Sequence, residues 1–190
     1  MSYHVFHHDE AERRMWQNPE QILAEIGLKD GDTFVDVGCG EGFFAIPAAK
    51  IVGGSGRVYC VDVHGRSVEK VKQRAKAEGL NNTVAKVGRA EDTIFCEGCA
   101  DIVFFGIDLH DFEDAPKVLA NARRMLKPIG KLVDLDWKRK LMSKGPPFHI
   151  RFSEEKAVGL IREAGFEVQS VKDSGKYHYL VVARPKEITH

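Results

Sequence analysis

Thr33-Phe34-Val35-Asp36-Val37-Gly38-Cys39-Gly40-Glu41-Gly42 carries more structural information than any other part of this chain. An apolar run of strand length feeds into glycines at 38, 40 and 42, and a helical stretch from Phe44 to Ile51 follows. Strand, glycine turn and helix in that order bring bare backbone against a ligand. Each missing Cβ removes an obstacle, and the helix N-terminus adds N–H donors. The spacing narrows the ligand. A dinucleotide loop, G-x-G-x-x-G, would place its third glycine at residue 43, which is Phe43 here. The loop reads G-x-G-x-G instead, with Asp36 two residues before the first glycine.

The rest of the chain repeats strand and helix. A second β-like run, Arg57 to Val63, contains Asp62 near its end and leads to a charged helical stretch, Ser67 to Glu78. An acid at the tip of the second strand of an open α/β sheet is placed to accept hydrogen bonds from ribose hydroxyls, in dehydrogenases as elsewhere. A third run, Thr83 to Val87, precedes Gly88-Arg89-Ala90-Glu91-Asp92. A fourth, Ala100 to Phe105, precedes Gly106-Ile107-Asp108-Leu109-His110-Asp111-Phe112. The fifth, Lys131 to Trp137, follows Met125-Leu126-Lys127-Pro128-Ile129-Gly130. Two last runs, Phe166 to Val171 and Tyr177 to Arg184, flank Lys172-Asp173-Ser174-Gly175-Lys176, a hairpin signal.

Taken together, these motifs resemble those of class I S-adenosylmethionine-dependent methyltransferases of the small-molecule type, over roughly Pro19 to Pro185. The resemblance implies an α/β fold: one Rossmann-like, doubly wound sheet of seven strands in the order 3-2-1-4-5-7-6, the last antiparallel. It divides the chain into an N-terminal helical lid segment, 1–28, over a methyltransferase domain, 29–190. It implies S-adenosylmethionine as cofactor, held by Asp36, Gly38, Cys39, Gly40 and Gly42, by Asp62 and Val63, and by Ala90 and Glu91 beside the adenine. The substrate would be met at residues 106–112.

Composition agrees with a globular domain. The chain has 190 residues, 43% of them apolar, enough for one substantial core. No apolar run is long enough to cross a bilayer. Met1 to Glu10 lacks a basic region followed by an apolar one, so no secretory signal and no membrane partner are expected, and the location expected is cytoplasmic. Residues 1–95 carry 12 basic and 14 acidic side chains, and residues 96–190 carry 16 and 14. Neither half has the excess that long nucleic acid requires, so no such partner is expected. Gly145-Pro146-Pro147-Phe148 falls after the fifth strand and lacks the Asp or Asn of the amino-methylating nucleic-acid enzymes. Oligomeric state stays open, a homo-oligomer included. Of four cysteines, Cys39 and Cys60 lie in the glycine loop and second strand. Cys96 and Cys99 form a C-x-x-C with no second ligand pair nearby, so no metal is expected and two reduced thiols are.

Methyl transfer is an in-line displacement in which protein groups chiefly position the reactants. A base helps where the acceptor carries a proton that must leave. His110, with an ordinary pKa of about 6.5, is the candidate base, and Asp108 stands with it as a catalytic candidate. The bland alternative for His110 is a histidine bonded to a neighbouring acid that only shapes the pocket. Asp36 either contacts the cofactor or organises the loop, Asp111 suits a helix cap, and Phe43 and Phe44 suit core positions. Lys138, Arg139, Lys140, Lys144 and Arg151 stand without an acid among them from Trp137 to Ser153. They make either a solvated face or a loop that draws in an anionic acceptor. On the second reading Lys138, Arg139 and His149 are substrate residues. Two rivals to the methyltransferase reading are a non-catalytic protein that binds the nucleoside cofactor and a nicotinamide oxidoreductase, the latter disfavoured by Phe43 and the closing hairpin.

Overall fold

A computed structural model describes residues 10–187, so residues 1–9 of the expected lid segment lie outside the described residues. The described chain opens with α1 (Glu10–Arg14) and α2 (Pro19–Glu25). Asn18 caps α2, accepting from the Gln21 N–H at 3.0 Å, and Pro19 sits at its first turn, where a missing N–H costs nothing. Then strands and helices alternate: β1 (Thr33–Val37), α3 (Ala45–Val52), β2 (Arg57–Asp62), α4 (Gly65–Ala77), β3 (Thr83–Val87), β4 (Ala100–Gly106), α5 (Ala115–Met125) and β5 (Leu126–Trp137). The chain closes with α6 (Glu154–Glu163), β6 (Phe166–Ser174) and β7 (His178–Pro185).

The seven strands form one sheet, ordered β3-β2-β1-β4-β5-β7-β6. Pairings from β3 to β5 are parallel, and β7 runs antiparallel to both β5 and β6. Strands buried on both faces need apolar residues at successive positions, which is why β1 and β4 read as continuous apolar runs. Phe34, Cys60, Phe104 and Leu135 face α2, α3 and α4 through Leu23, Ile46 and Val71. Val35, Phe105, Tyr179 and Val181 face α5 and α6 through Val118, Leu119, Ala157 and Ile161. Among the described residues, no helix is long and apolar enough to cross a membrane.

Three local expectations change. The fifth strand starts at Leu126 rather than Lys131, because Leu126 pairs with Ala100 before an irregularity at Ala100/Ile102 absorbs Pro128, which has no N–H to donate. The closing hairpin is tighter than its polar residues suggest. Lys172, Asp173 and Ser174 pair with Leu180, Tyr179 and His178, which leaves only residues 175–177 as the turn. Cys96 and Cys99 are joined as a disulfide rather than left as two reduced thiols. Gly98, at φ +60°, turns the loop so that their Cα atoms stand 5.9 Å apart.

Candidate active site

The parallel strands end at one edge of the sheet, and β1 and β4 part there to opposite sides, the place where open α/β sheets bind ligands. A cavity opens at that edge. Asp36, Gly38, Cys39, Gly40, Asp62, Val63, Ala90 and Glu91 line one part of it, with Asp108 and His110 on the β4 side. The loop glycines differ in role. Gly40, at φ +51°, has open space within 4 Å of where a Cβ would stand. Gly38, at φ +80°, lies under Asp108, whose Cγ would be 2.7 Å from such a Cβ. Gly42 stands off the cavity lining, and a Cβ there would press on Ile46 at 3.1 Å and Val71 at 3.2 Å. Its lost side chain lets α3 and α4 close behind the loop.

Asp62 ties the cavity wall together. One of its oxygens accepts from the Gly40 N–H at 2.8 Å, and the other accepts from the His64 N–H, also at 2.8 Å. Its carboxylate therefore shapes the glycine loop as well as standing at the tip of β2. Glu91 is buried in the 3₁₀ turn Ala90–Asp92, where Asn121 Nδ2 donates to the carbonyls of Ala90 at 3.1 Å and Glu91 at 2.8 Å. Asp36 and Asp108 each keep one oxygen buried without a hydrogen-bond partner. Burial, with the nearby Asp62 charge and despite Arg13, pushes Asp36 up to about 7. Burial and the charges of Asp62, Asp36 and Asp111 hold Asp108 well above the usual carboxylate range.

At the β4 side, the 3₁₀ turn Leu109–Asp111 delivers His110 to Asp136 on β5. The His110 Nδ1 lies 2.8 Å and 2.9 Å from the two Asp136 oxygens. A carboxylate only accepts, so Nδ1 carries a proton; in the neutral ring Nε2 then holds the lone pair, 3.5 Å from Asp111 Oδ1. Trp137 N–H donates to Asp136 Oδ1 at 2.7 Å and fixes the acid in turn. Burial pulls the His110 pKa down, but the Asp136 charge and hydrogen bond, with Asp111, raise it above the ordinary value. Asp134, on the same face of β5 and fully buried, is pushed well up by burial and then by the Asp136 charge.

The turn into this region is strained. Ile107 has φ +72°, the one non-glycine residue at positive φ among the described residues, and β-branched side chains rarely accept that backbone. Ile107, Phe112, Trp137 and Pro146 give this end of the cavity an apolar lining.

The three expected substrate residues stand elsewhere. Lys138 is buried, with Nζ 2.9 Å from Asp173 Oδ1 and donating to the Gly175 carbonyl at 3.1 Å. Arg139 is exposed, its guanidinium carbon 5.1 Å from the Phe148 ring centre, and His149 is exposed. None of the three lines the cavity. Arg151 is buried and donates to the carbonyls of Pro146, Lys138, Lys140 and Lys144 at 2.7, 3.4, 3.0 and 2.9 Å. Lys144 pairs with Glu12 at 2.5 Å. Arg151 thus holds the loop itself in shape, while Lys138 and Lys144 tie it to the closing hairpin and to α1.

Several lining residues escaped the sequence reading of the cavity, Arg13, His64, Ser67 and Pro146 among them, and Phe43 and Phe44, read as core positions, line it as well. Arg13 comes from α1, whose pattern says helix and nothing of where it docks. Pro146 belongs to the loop whose basic residues, not its prolines, stand out as candidates in the sequence.

The cavity suits a nucleoside attached to an amino acid. A cradle without Cβ atoms meets one part, and orphaned buried polar atoms on Arg13, Asp36 and Asp108 await charged groups at another. A family model described as a methyltransferase domain matches residues 28–180. The chain is similar to the 2-phytyl-1,4-naphtoquinone methyltransferase of Trichormus variabilis, at 35% identity over 129 residues, 67% of this chain and 56% of that protein. It is similar to the demethylmenaquinone methyltransferase of Geobacillus kaustophilus, at 32% identity over 124 residues, 65% of this chain and 53% of that protein. The chain spans about half the length of these curated relatives. A solved S-adenosylmethionine-dependent methyltransferase from Aquifex aeolicus superposes with a TM-score of 0.85 at 30% identity, covering 93% of this chain and 98% of that one. With strand order, glycine loop and family match in agreement, the chain belongs to the methyltransferase-domain family, of the class I S-adenosylmethionine-dependent type.

Proposed function

We propose that this protein transfers a methyl group from S-adenosylmethionine to a small acceptor whose reacting end is apolar and planar, with His110 receiving the acceptor's proton. The observation that carries this reading is one cavity lined both by the glycine loop and by His110, whose ring Asp136 holds from behind. The cofactor supplies a sulfonium-activated methyl group. The acceptor's nucleophile forms the new bond to that carbon while the carbon–sulfur electron pair stays on sulfur. In the neutral ring His110 Nε2 holds a lone pair and takes the proton, and Asp136 steadies the imidazolium that forms. Gly38 and Gly40 admit the cofactor, and Asp62 holds their loop for it.

Trp137, Phe112, Ile107 and Pro146 favour a flat apolar acceptor, and quinone-type compounds, named for two similar proteins, come first. An anionic acceptor is a narrower form of the proposal. Its support from the basic loop reduces to the exposed Arg139 and Lys140, because Lys138, Lys144 and Arg151 are committed to internal partners.

The test is labelled methyl transfer from S-adenosylmethionine to a panel of naphthoquinols, phenols, amines and small carboxylates. Transfer to a flat apolar member supports the reading. Binding of S-adenosylhomocysteine with no transfer to any member favours a non-catalytic cofactor-binding protein.

A further inference from the structure

Among the described residues, Arg13 is the sole lysine or arginine lining the cavity. Its guanidinium carbon lies 3.9 Å from the centre of the Phe43 ring, beside the glycine loop. Its Nε donates to Gln17 Oε1 at 2.6 Å, while Nη2 is buried without a hydrogen-bond partner. A buried guanidinium with an unused donor costs free energy unless something accepts from it. The helix that carries it is held from three sides. Trp16, one turn on, stacks on His178 with centroids 5.4 Å apart and packs on Trp137 at 5.5 Å. Glu10 pairs with Arg74 of α4 at 2.9 Å, and Glu12 pairs with Lys144 at 2.5 Å.

We propose that Arg13 receives the carboxylate at the amino-acid end of the cofactor and thereby latches α1 over the glycine loop. The inference rests on the cofactor reading above and assigns this end of the ligand to a residue outside the family's glycine motif. The surroundings select an amino acid over other anions. Asp36 and Asp108 face the same space, each with an unpartnered oxygen. A phosphate would meet two carboxyl groups with no cation to offer them. An α-amino acid offers both signs: its carboxylate matches the planar donor fork of Arg13, and its ammonium turns to Asp36 and Asp108. Trp16 fixes the far end of α1, so a bond at Arg13 secures the helix at two points one turn apart.

Calorimetry with two ligands tests this. S-adenosylhomocysteine carries the amino-acid end; 5′-deoxy-5′-methylthioadenosine shares the adenosine but has neither carboxylate nor ammonium. Arg13→Gln should weaken S-adenosylhomocysteine by roughly 10- to 100-fold, the scale of one charge-assisted hydrogen-bond partner, and leave methylthioadenosine unchanged. Arg13→Lys should fall between Gln and wild type, because it restores the charge without the fork. In the wild type, S-adenosylhomocysteine should slow tryptic cleavage after Arg13 and Arg14, and methylthioadenosine should not. Equal loss of both ligands, or no loss of either, overturns the carboxylate assignment. Failure of the wild type to bind either ligand would overturn the cofactor reading itself, and this inference with it.

Discussion

The imidazole of His110 and the carboxylate of Asp136 meet through one ring nitrogen and both acid oxygens, at 2.8 and 2.9 Å, although 26 positions separate them. The contact sets a proton on Nδ1 and turns Nε2 toward Asp111 Oδ1, 3.5 Å away. It also predicts a pH profile. Burial alone would depress His110, and the Asp136 charge reverses that. If Nε2 is the base, kcat/KM should rise with pH through a value above the ordinary 6.5 or so of an imidazole. Asp136→Asn should move that limb to lower pH and lower turnover roughly 100-fold, the lower end of what a positioned base contributes. An unmoved limb in the variant would assign the profile to another group.

The same pair makes a stability prediction of opposite slope. His110 has a raised pKa in the folded protein, so the folded state binds its proton more tightly than the unfolded state. That stabilisation is complete below about 6.5, the unfolded value, and is lost as pH rises through the folded value. The stability gap between wild type and Asp136→Asn should therefore be widest near pH 5.5 and narrow toward pH 9, as read by urea unfolding. A gap that widens with pH would mean that Asp136 holds a neutral imidazole.

Gly38 and Gly40 should fail differently when given a methyl group. Gly40→Ala meets open space, so the cost should be about 1 kcal/mol for a left-handed alanine. Affinity for S-adenosylhomocysteine should nevertheless fall at least tenfold, because the methyl group takes ligand space. Gly38→Ala drives a Cβ to within 2.7 Å of Asp108 Cγ and should lower thermal stability more than Gly40→Ala, with or without ligand. Melting curves and calorimetry separate the two, and equal stability losses would refute the division of roles.

These contrasts show what was legible in the chain. The alternation of strand and helix and the cavity's place followed from local patterns: three spaced glycines, an acid at a strand tip, apolar runs of strand length. The strand order followed from the family resemblance that those motifs carry. Such signals are local because backbone conformation is local. The His110–Asp136 contact was not legible, since it depends on β4 and β5 pairing with Phe105 opposite Asp134, a register set by tertiary packing. The basic run misled for a related reason. A sequence shows charge but not whether a guanidinium points at solvent or back at its own carbonyls, and Arg151 points inward. The resemblance laid the N-terminal segment over the domain as a lid, but no local pattern singles out Arg13 as the residue that reaches the cavity.

That inward turn of Arg151 yields the last prediction. Its guanidinium satisfies the carbonyls of Pro146, Lys138, Lys140 and Lys144, while Lys138 bridges to Asp173 on β6. Arg151→Met keeps the apolar stem but leaves those carbonyls without their donor. Part of the loop would open to water to recover hydrogen bonds, so the loss should stop at roughly 2–4 kcal/mol rather than summing over every bond. Because Pro146 lines the cavity, the same change should raise the KM for the acceptor more than it weakens S-adenosylhomocysteine. The double variant Arg139→Gln/Lys140→Gln removes only exposed charge, so its stability should stay within about 0.5 kcal/mol of wild type. Comparing the two in low salt separates architecture from attraction. If the double variant raises acceptor KM at low salt and recovers toward wild type as salt is added, the loop does draw in an anion through its exposed residues. If only Arg151→Met moves KM, the basic run serves to hold Pro146 and Trp137 against the acceptor, and its charge has no part in capture.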